Sequence, residues 1–465
     1  MKTQKIYKIL LIVGLPMILA SCFTAKEYVR PTAIVSENSF RTDAISKDSL
    51  SMAMVSWKEL FTDELLQKYI NEGLENNIDN RVALQQIIAA QAYLKQGKAG
   101  YLPTLNGTGQ YTHQEFSDNG IYAGSSPYNQ YTLSANLSWE ADIWGKIRSN
   151  KRAFEASYLQ SVAAHQAIKT TLVSQIAAIY FQLLSLDEQV RITKETILTR
   201  EKGLTTTSAL KESGDVTEVA VKQTEAQLYT AKAILIDLNE QIHLLENTMA
   251  ILLGKPSTSI ERSTFNAQKI TTSLEIGVPA LLLSNRPDVI AAESQFVQAF
   301  ELTNVAKSNF YPSLTLTASG GIQSLDFDNF FDANSLFSSV IGGLTQPIFN
   351  GRKVKTQFEV SKAQQEQALL RFKEAVLNAS KEVSDAMYSY KAATEKIIIK
   401  EKEFNAYNMA SSYSQELLNN GLANYLEVLN AQENALNSQL SLINAQYYQL
   451  KYTIDLYKAL GGGWR

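Results

Sequence analysis

The chain repeats a set of short motifs at a nearly constant spacing of 206–209 residues. The paired landmarks are Pro103 and Pro312, Gly145 and Gly351, Gly214 and Gly421, and Gly254 and Gly461. Several landmarks that keep one order and one spacing indicate two copies of a long structural unit. The period is far longer than the roughly 20–50 residues of solenoid repeats. The sequence therefore predicts a duplicated half-domain and excludes an array of small repeats.

Each copy contains a segment with the period of a β-strand. In the first copy, Leu133, Ala135, Leu137 and Trp139 alternate with polar residues, which gives a strand one apolar and one polar face. The second copy alternates in the same way over 314–322. Turn residues such as Asp, Asn and Gly lie between the strands of each pair. We expect β-hairpins at 103–141 and 312–349.

Very long helices follow both hairpins. The segment from Gly145 to about Ser213 and the segment from Gly351 to Asn420 contain no proline. A helix of about 70 residues spans on the order of 100 Å, far more than one globular core requires, and the composition is typical of coiled-coil-like packing. Gly214 and Gly421 are predicted helix C-caps that need a positive φ and reverse the chain. Return helices are expected over 215–253 and 422–460.

The N-terminal segment has the pattern of a lipoprotein signal peptide. Three lysines precede an apolar stretch at 9–19, and Leu19-Ala20-Ser21 leads to Cys22, the only cysteine in the chain. We expect cleavage before Cys22 and a covalent lipid on its thiol; the alternative is an ordinary signal peptide with a chance cysteine. The absence of a second cysteine excludes an intramolecular disulfide. Beyond residue 22 we expect no membrane-spanning helix, because no apolar run approaches about 20 residues.

These features give an expected organisation along the chain. It comprises a signal peptide at 1–21, a linker from the lipid anchor at 22–55, a first repeat at 56–254, an inter-repeat segment at 255–285 and a second repeat at 286–465. The net charge of −3 gives no nucleic-acid footprint. The three histidines have no metal-ligand spacing, and no phosphate loop or nucleophile motif is present. The sequence therefore predicts neither an enzyme nor a cofactor or metal site.

The number of strands constrains the assembly. Two hairpins supply four strands, and four strands cannot close a barrel, whereas open strand edges are not tolerated in lipid. If the strands enter a membrane, several chains must combine, and three chains would supply twelve strands, a known barrel size. Apolar side chains would then face lipid, and Thr, Ser, Asn and Gln would face a wet lumen. The expected fold class is α+β and mainly α, a duplicated unit of long coiled-coil-like helices plus β-hairpins, with a trimeric twelve-stranded barrel if the strands enter a membrane.

The chain resembles the TolC-like outer-membrane factors, specifically the NodT/OprM-like lipoprotein branch that serves multidrug and metal efflux. The resemblance covers essentially the whole chain after the signal peptide. The segments that carry it are Trp57-Lys58-Glu59-Leu60-Phe61-Thr62-Asp63, Leu283-Ser284-Asn285-Arg286-Pro287-Asp288-Val289, Phe310-Tyr311-Pro312-Ser313-Leu314, Gln346-Pro347-Ile348-Phe349-Asn350-Gly351-Arg352 and Gly421-Leu422-Ala423-Asn424-Tyr425-Leu426-Glu427-Val428-Leu429.

The resemblance implies a homotrimer in the outer membrane, with an α-helical tunnel in the periplasm that docks on an adaptor protein and, through it, an inner-membrane pump. Transport through such a duct is passive. The second helix reversal forms the periplasmic gate in this family. The gate candidates here are Leu422, Ala423, Asn424, Tyr425 and Glu427, with Gly214 and Gly421 at the tip turns. Some relatives place an aspartate in the constriction, where this chain has Ala423 or Asn424, so we expect aromatic packing and amide hydrogen bonds instead.

Several of these residues could also serve local structure alone. Tyr425 could pack between neighbouring helices. The acidic residues Asp215, Glu218 and Glu225 could line the tunnel entrance and favour cations, but we prefer to explain them as a solvated helix start, where carboxylates suit the helix dipole. Two other functions also remain open. One is the exit duct of a type I protein secretion system. The other is a lipid-anchored periplasmic coiled-coil protein, which would need no alternating strands.

Overall fold

A computed structural model describes residues 25–31, 52–268 and 285–464 of the chain. The predicted signal peptide, Cys22 and most of the predicted linker lie outside the described residues. The same is true of residues 269–284 in the predicted inter-repeat segment.

Eight α-helices and four β-strands of three residues or more are found in the described ranges, in the order of the chain. They are α1 Trp57–Leu60, α2 Glu64–Asn76, α3 Ile78–Ala99, β1 Thr104–Gln114, β2 Tyr128–Glu140, α4 Lys146–Glu212, α5 Glu218–Leu252, α6 Pro287–Ser308, β3 Ser313–Ser324, β4 Leu336–Thr345, α7 Lys353–Asn419 and α8 Tyr425–Ala459. Short 3-10 turns lie at Met52–Met54, Phe265–Ala267 and Ala333–Ser335. The predicted long helices are confirmed, since α4 and α7 each contain 67 residues.

One predicted helix is divided. The apolar pattern from Trp57 to Asn77 predicts a single short helix, whereas the structure has α1 and α2 with a break at 61–63. Asp63 causes the break because its carboxylate accepts hydrogen bonds from the backbone N–H groups of Leu65 (2.9 Å) and Leu66 (3.2 Å). An N-cap of this kind satisfies donors that a continuous helix would pair internally. The apolar period alone does not reveal the break.

The four strands form one antiparallel sheet in the order β1-β2-β3-β4. The register places Leu105 opposite Leu137, Leu137 opposite Ala318, and Ala318 opposite Val340. Apolar side chains from all four strands therefore share one face, and polar residues such as Asn136 lie on the other. This sheet confirms both predicted hairpins, and it contradicts the alternative of a purely helical coiled coil.

The apolar face of the sheet is open to solvent within one chain. Leu105 and Leu344 are each 69% exposed, and Val340 is 72% exposed. Among the described strands, β1 and β4 each pair with one neighbour, so each leaves one edge free. A sheet with a bare apolar face and two bare edges requires a partner, because soluble proteins normally cover both.

The chain divides into two compact units, and each draws on both predicted repeats. Among the described residues, the first contains 25–31, Ile88–Gln160 and Ala292–Phe372, and it includes the sheet. Within it, the N-terminal segment packs on α6: the Tyr28 hydroxyl donates to Glu293 (3.2 Å), and its ring meets those of Phe296 and Phe300 edge-on. Arg30 forms an ion pair with the same Glu293 carboxylate.

Among the described residues, the second unit contains 52–87, 161–268, 285–291 and 373–464. Its core is formed by large buried side chains, among them Phe61, Tyr180, Met249 and Tyr457. Two arginines, the partly buried Arg262 and the buried Arg286, join its segments. Arg262 contacts Asp187 on α4 and Glu246 on α5 (2.5 Å), and Arg286 donates to the carbonyl oxygen of Ala459 at the end of α8 (3.0 Å).

Helix α4 departs from one expectation. An 18-residue stretch of it is long and apolar enough to cross a membrane by composition alone. However, 56% of that stretch is buried inside the protein. A buried core helix has the same composition, so the stretch is explained by packing within the chain.

Candidate functional site

The two helix reversals share one hydrogen-bond pattern. At the end of α4, Gly214 N–H donates to Lys211 O (3.1 Å) and Asp215 N–H to Leu210 O (2.9 Å). At the end of α7, Gly421 N–H donates to Leu418 O (3.0 Å) and Leu422 N–H to Leu417 O (2.8 Å). These paired bonds define a Schellman motif, which satisfies carbonyl groups at a helix C-terminus.

The glycines are needed for the backbone conformation of these turns. Gly214 has a φ of 88° and Gly421 a φ of 72°, where side chains are strongly disfavoured. No atom lies within 4 Å of a Cβ built on either glycine, so space is not the constraint. The predicted C-caps are therefore confirmed. The assignment of these turns to a periplasmic tip stays a prediction.

Two of the gate candidates cap the return helix. Asn424 is the N-cap of α8: its Oδ1 accepts from the Glu427 backbone N–H (3.0 Å), and its Nδ2 donates to Glu427 Oε1 (3.0 Å). The carboxylate of Glu427 also lies at the positive end of the helix dipole. The two side chains thus satisfy each other within one chain. Leu422 beside them is 75% exposed.

A cavity of about 760 Å³ opens between the two helix reversals. It is lined by residues of two helical hairpins, the pair α4–α5 and the pair α7–α8. Asp215 and Val216 come from the first helical hairpin, and Ala423 and Tyr425 from the second. The structure therefore brings two of the five gate candidates, together with Gly421, to one cavity. Leu422, Asn424 and Glu427 lie outside its lining.

The position of Tyr425 explains the single glycine within α4, Gly203, which lies near the C-terminal end of the helix. A Cβ built on Gly203 would lie 3.3 Å from the Tyr425 hydroxyl oxygen. The missing side chain at Gly203 leaves room for the tyrosine, which packs against α4 of the same chain. In the sequence, Gly203 is visible only as an interruption of the helix. A glycine that costs about 1 kcal/mol in a helix interior signals such a close approach.

Arg200 is a further cavity residue that sequence reasoning missed. Its side chain is buried, and Nη1 donates to the carbonyl oxygen of Gln227. Nε and Nη2 have no hydrogen-bond partner among the described residues. Burial lowers the pKa of Arg200 from its ordinary value, and Glu433 partly opposes this change. Nothing in the residue type distinguishes it from the exposed arginines of other helices, so only the structure reveals its burial.

The acidic residues near the first reversal have local partners. Asp215 accepts from the Ser213 hydroxyl (2.7 Å), Glu218 pairs with Lys211 (3.1 Å) and Glu225 pairs with Lys222 (2.8 Å). These contacts favour the interpretation as a solvated helix start. Within the described ranges, no three His, Cys, Asp or Glu side chains come together as a metal site.

Comparison with known proteins identifies the chain. Two separate segments, residues 69–255 and 278–462, match the sequence profile of the outer membrane efflux protein family. The chain is 28% identical over 418 residues to the solvent efflux pump outer membrane protein SrpC of Pseudomonas putida, with 90% of this chain and 89% of SrpC covered. It is 27% identical to the probable outer membrane lipoprotein SilC of Salmonella typhimurium, with 98% of each chain covered.

The fold also matches solved structures. The open state of the Neisseria gonorrhoeae MtrE outer membrane channel superposes with a TM-score of 0.85 and 25% identity, covering 96% of this chain and 99% of MtrE. The paired long helices and the sheet thus define a channel protein of the outer membrane. The chain belongs to the outer membrane efflux protein family. This finding confirms the resemblance to outer-membrane factors, the location in the outer membrane and the role as an efflux channel component.

Proposed function

We propose that three copies of this chain form a passive, gated duct, and that each copy contributes four strands to a twelve-stranded barrel. The observation that carries this proposal is the sheet, with its exposed apolar face and one free edge on each of β1 and β4. Closure by further copies would cover the edges, as lipid requires. The apolar face would then meet hydrocarbon and the Ser-, Thr- and Asn-rich face would line the lumen.

The partners follow from the family. A periplasmic adaptor protein would dock at the helix reversals and link the duct to an inner-membrane pump, which supplies the energy. A lipid on Cys22 would anchor each copy, since each buried methylene contributes about 0.8 kcal/mol. The duct itself would bind no cofactor and catalyse no reaction.

The cargo is proposed to be small toxic molecules. SrpC is named for solvent efflux, and a second relative, CusC of Escherichia coli, is named as a cation efflux system protein at 25% identity. Both names describe export of small solutes, which favours efflux over protein secretion for this chain.

Tyr425 and its surroundings are proposed to form the gate. The cavity between the two helical hairpins is lined by Tyr425 and Ala423, and Asn424 caps the start of α8. Aromatic packing and amide hydrogen bonds would hold the closed state, because no carboxylate lies at position 423 or 424.

Native mass in detergent and single-channel conductance in planar bilayers test both parts of the proposal. A trimer with discrete openings supports the duct, and Tyr425→Ala with Asn424→Ala should enlarge the openings. Tyr229→Ala is the matched control, since Tyr229 is an exposed tyrosine on the other return helix and should leave conductance unchanged. A monomer without conductance would refute the duct. Equal conductance in the gate variant and the control would refute the gate.

A further inference from the structure

The free edges of the sheet have complementary shapes. On the apolar face, β1 presents Gly107, Gly109 and Tyr111, and β4 presents Gly342 and Leu344. We infer that β4 of one copy pairs with β1 of a second copy in one particular register, in which Leu344 lies opposite Gly109. This inference rests on the proposed oligomer and specifies which residues meet at its interface.

The internal repeat supplies the register. Strand β1 begins at Thr104 and β3 begins at Ser313, 209 residues later. Thr104 lies opposite Ser138, and Ser313 lies opposite Thr345, so β2 corresponds to β4 with a shift of 207 residues (138 to 345).

Hydrogen bonds at the ends of the two hairpins support these shifts. Trp139 Nε1 donates to the carbonyl oxygen of Tyr101 (2.9 Å). Gln346 Nε2 donates to the carbonyl oxygen of Phe310 (3.1 Å). Gln346 follows Trp139 by 207 residues and Phe310 follows Tyr101 by 209 residues, so the two hairpins place equivalent groups at the same points.

The pairing of β2 with β3, which joins the two β-hairpins of one chain, then serves as a template for the pairing of β4 with β1 of the next copy. Within the chain, Leu137 on β2 lies opposite Ala318 on β3. The same shifts convert Leu137 to Leu344 and Ala318 to Gly109. They also convert the pair of Ala135 and Gly320 to the pair of Gly342 and Tyr111.

The resulting pairs fit by size. In the three ladders of the described sheet, no glycine lies opposite another glycine. The inferred register keeps this property, because Gly109 faces Leu344 and Gly342 faces Tyr111. A slip of two residues would place Gly342 opposite Gly109 and leave a gap on the apolar face. A slip in the other direction would place Leu344 opposite Tyr111, two large side chains.

A second contact follows at the end of the strand. Four residues beyond the end of β2, Trp144 stacks on Tyr311, with ring centroids 5.0 Å apart; Tyr311 lies two residues before β3. Four residues beyond the end of β4, Phe349 is 92% exposed. Leu102, two residues before β1, is 67% exposed. The 207- and 209-residue shifts convert Trp144 to Gly351 and Tyr311 to Leu102. Phe349, two residues before Gly351, is the aromatic residue nearest to that position in the sequence, so we expect its ring to cover Leu102 of the next copy.

Cysteine cross-linking tests the register. Opposite residues in antiparallel strands have Cα atoms about 4.5–5.5 Å apart, within disulfide range. Within one chain, β1 and β4 are three strand spacings apart, or about 14 Å, so a disulfide between them must join two copies. The test variant is Gly109→Cys with Leu344→Cys. The matched control is Gly107→Cys with Leu344→Cys, which tests the slipped register on the same face.

Both glycines leave room for a Cβ, since none of the surrounding atoms comes closer than 3.9 Å. After mild oxidation, the test variant should give covalent dimers and trimers on a non-reducing gel, and the control should stay at least tenfold less cross-linked. Native mass under reducing conditions reports whether each variant still assembles. An assembled trimer in which the control cross-links better, or neither variant cross-links, would overturn the register and leave the duct intact. A monomeric wild-type protein would overturn the proposed oligomer itself.

Discussion

Alanine substitutions at two pairs of glycines distinguish two contributions to the loss of stability, backbone strain at positive φ and steric collision of the added Cβ. Gly214 and Gly254 both have a positive φ, 88° and 70° respectively. A Cβ at Gly214 meets no atom within 4 Å, whereas a Cβ at Gly254 would lie 2.4 Å from the carbonyl oxygen of Asn76. Alanine at either site suffers the same conformational strain, but only at Gly254 does it also collide with a backbone.

The magnitudes follow from these two terms. An L-residue at positive φ costs roughly 1–2 kcal/mol, and replacing glycine recovers about 0.4–1 kcal/mol through the unfolded chain. Gly214→Ala should therefore lower the free energy of unfolding by about 1 kcal/mol. Overpacking adds roughly 1–3 kcal/mol, so Gly254→Ala should cost about 2–4 kcal/mol, because backbone cannot move aside as a flexible side chain can.

The repeat provides a second test of the same reasoning. Gly461 has a φ of 91°, and its Cβ would lie 2.8 Å from the carbonyl oxygen of Asn285; no atom lies near a Cβ on Gly421. Unfolding by denaturant in detergent can be followed by circular dichroism at 222 nm. Gly254→Ala and Gly461→Ala should have lower unfolding midpoints than Gly214→Ala and Gly421→Ala. Equal midpoints for all four variants would refute the steric argument.

Two further matched pairs test the arginines Arg200 and Arg262 and the helix caps, each by the same unfolding assay. Arg200→Met should be neutral or stabilising, because two guanidinium nitrogens are buried without partners among the described residues. Arg262→Met should cost about 1–3 kcal/mol, because it leaves the largely buried Glu246 carboxylate without its ion-pair partner, whereas the Asp187 side chain is 39% exposed and stays solvated. The reverse order would contradict this reasoning. Asn424→Ala should cost about 0.5–2 kcal/mol through the lost cap. Thr217→Ala should change stability by only a few tenths, since Thr217 forms no side-chain cap hydrogen bond, and equal losses at both sites would argue against the cap.

Much of the fold is predictable because it follows from local pattern and repetition. The length of α4 and α7 follows from the lack of proline, and the C-caps follow from Gly214 and Gly421. The period of two locates β2 and β3, because Leu133 to Trp139 and Leu314 to Ile322 keep one face of each strand apolar. Strands β1 and β4 follow as their hairpin partners. Duplication strengthens each assignment, since every feature of one copy supports its counterpart in the other.

The remaining features depend on contacts between distant segments. The cavity between the two helical hairpins is lined by Arg200, Gly203 and Tyr425. More than 200 residues of sequence separate the tyrosine from the other two. No local pattern indicates that the Tyr425 hydroxyl faces Gly203 or that Arg200 is buried. The break at Asp63 escapes prediction for a different reason, since a capping carboxylate competes with an apolar period that continues through it.

The two copies have the same backbone arrangement, but they differ in the side chains through which their helical hairpins contact each other. At the 207-residue shift, Gly203 corresponds to Ala410 and Tyr425 to Glu218, so the contact between Tyr425 and Gly203 has no counterpart in the other copy. The first return helix also lacks the side-chain cap that Asn424 gives the second. The repeated turn therefore specifies where the chain reverses. The residues that differ between the copies specify which contacts join the two helical hairpins. The proposed gate requires a contact that can be broken without unfolding the turn, and the contact between Tyr425 and Gly203, which is not part of the repeated turn, is our candidate for it.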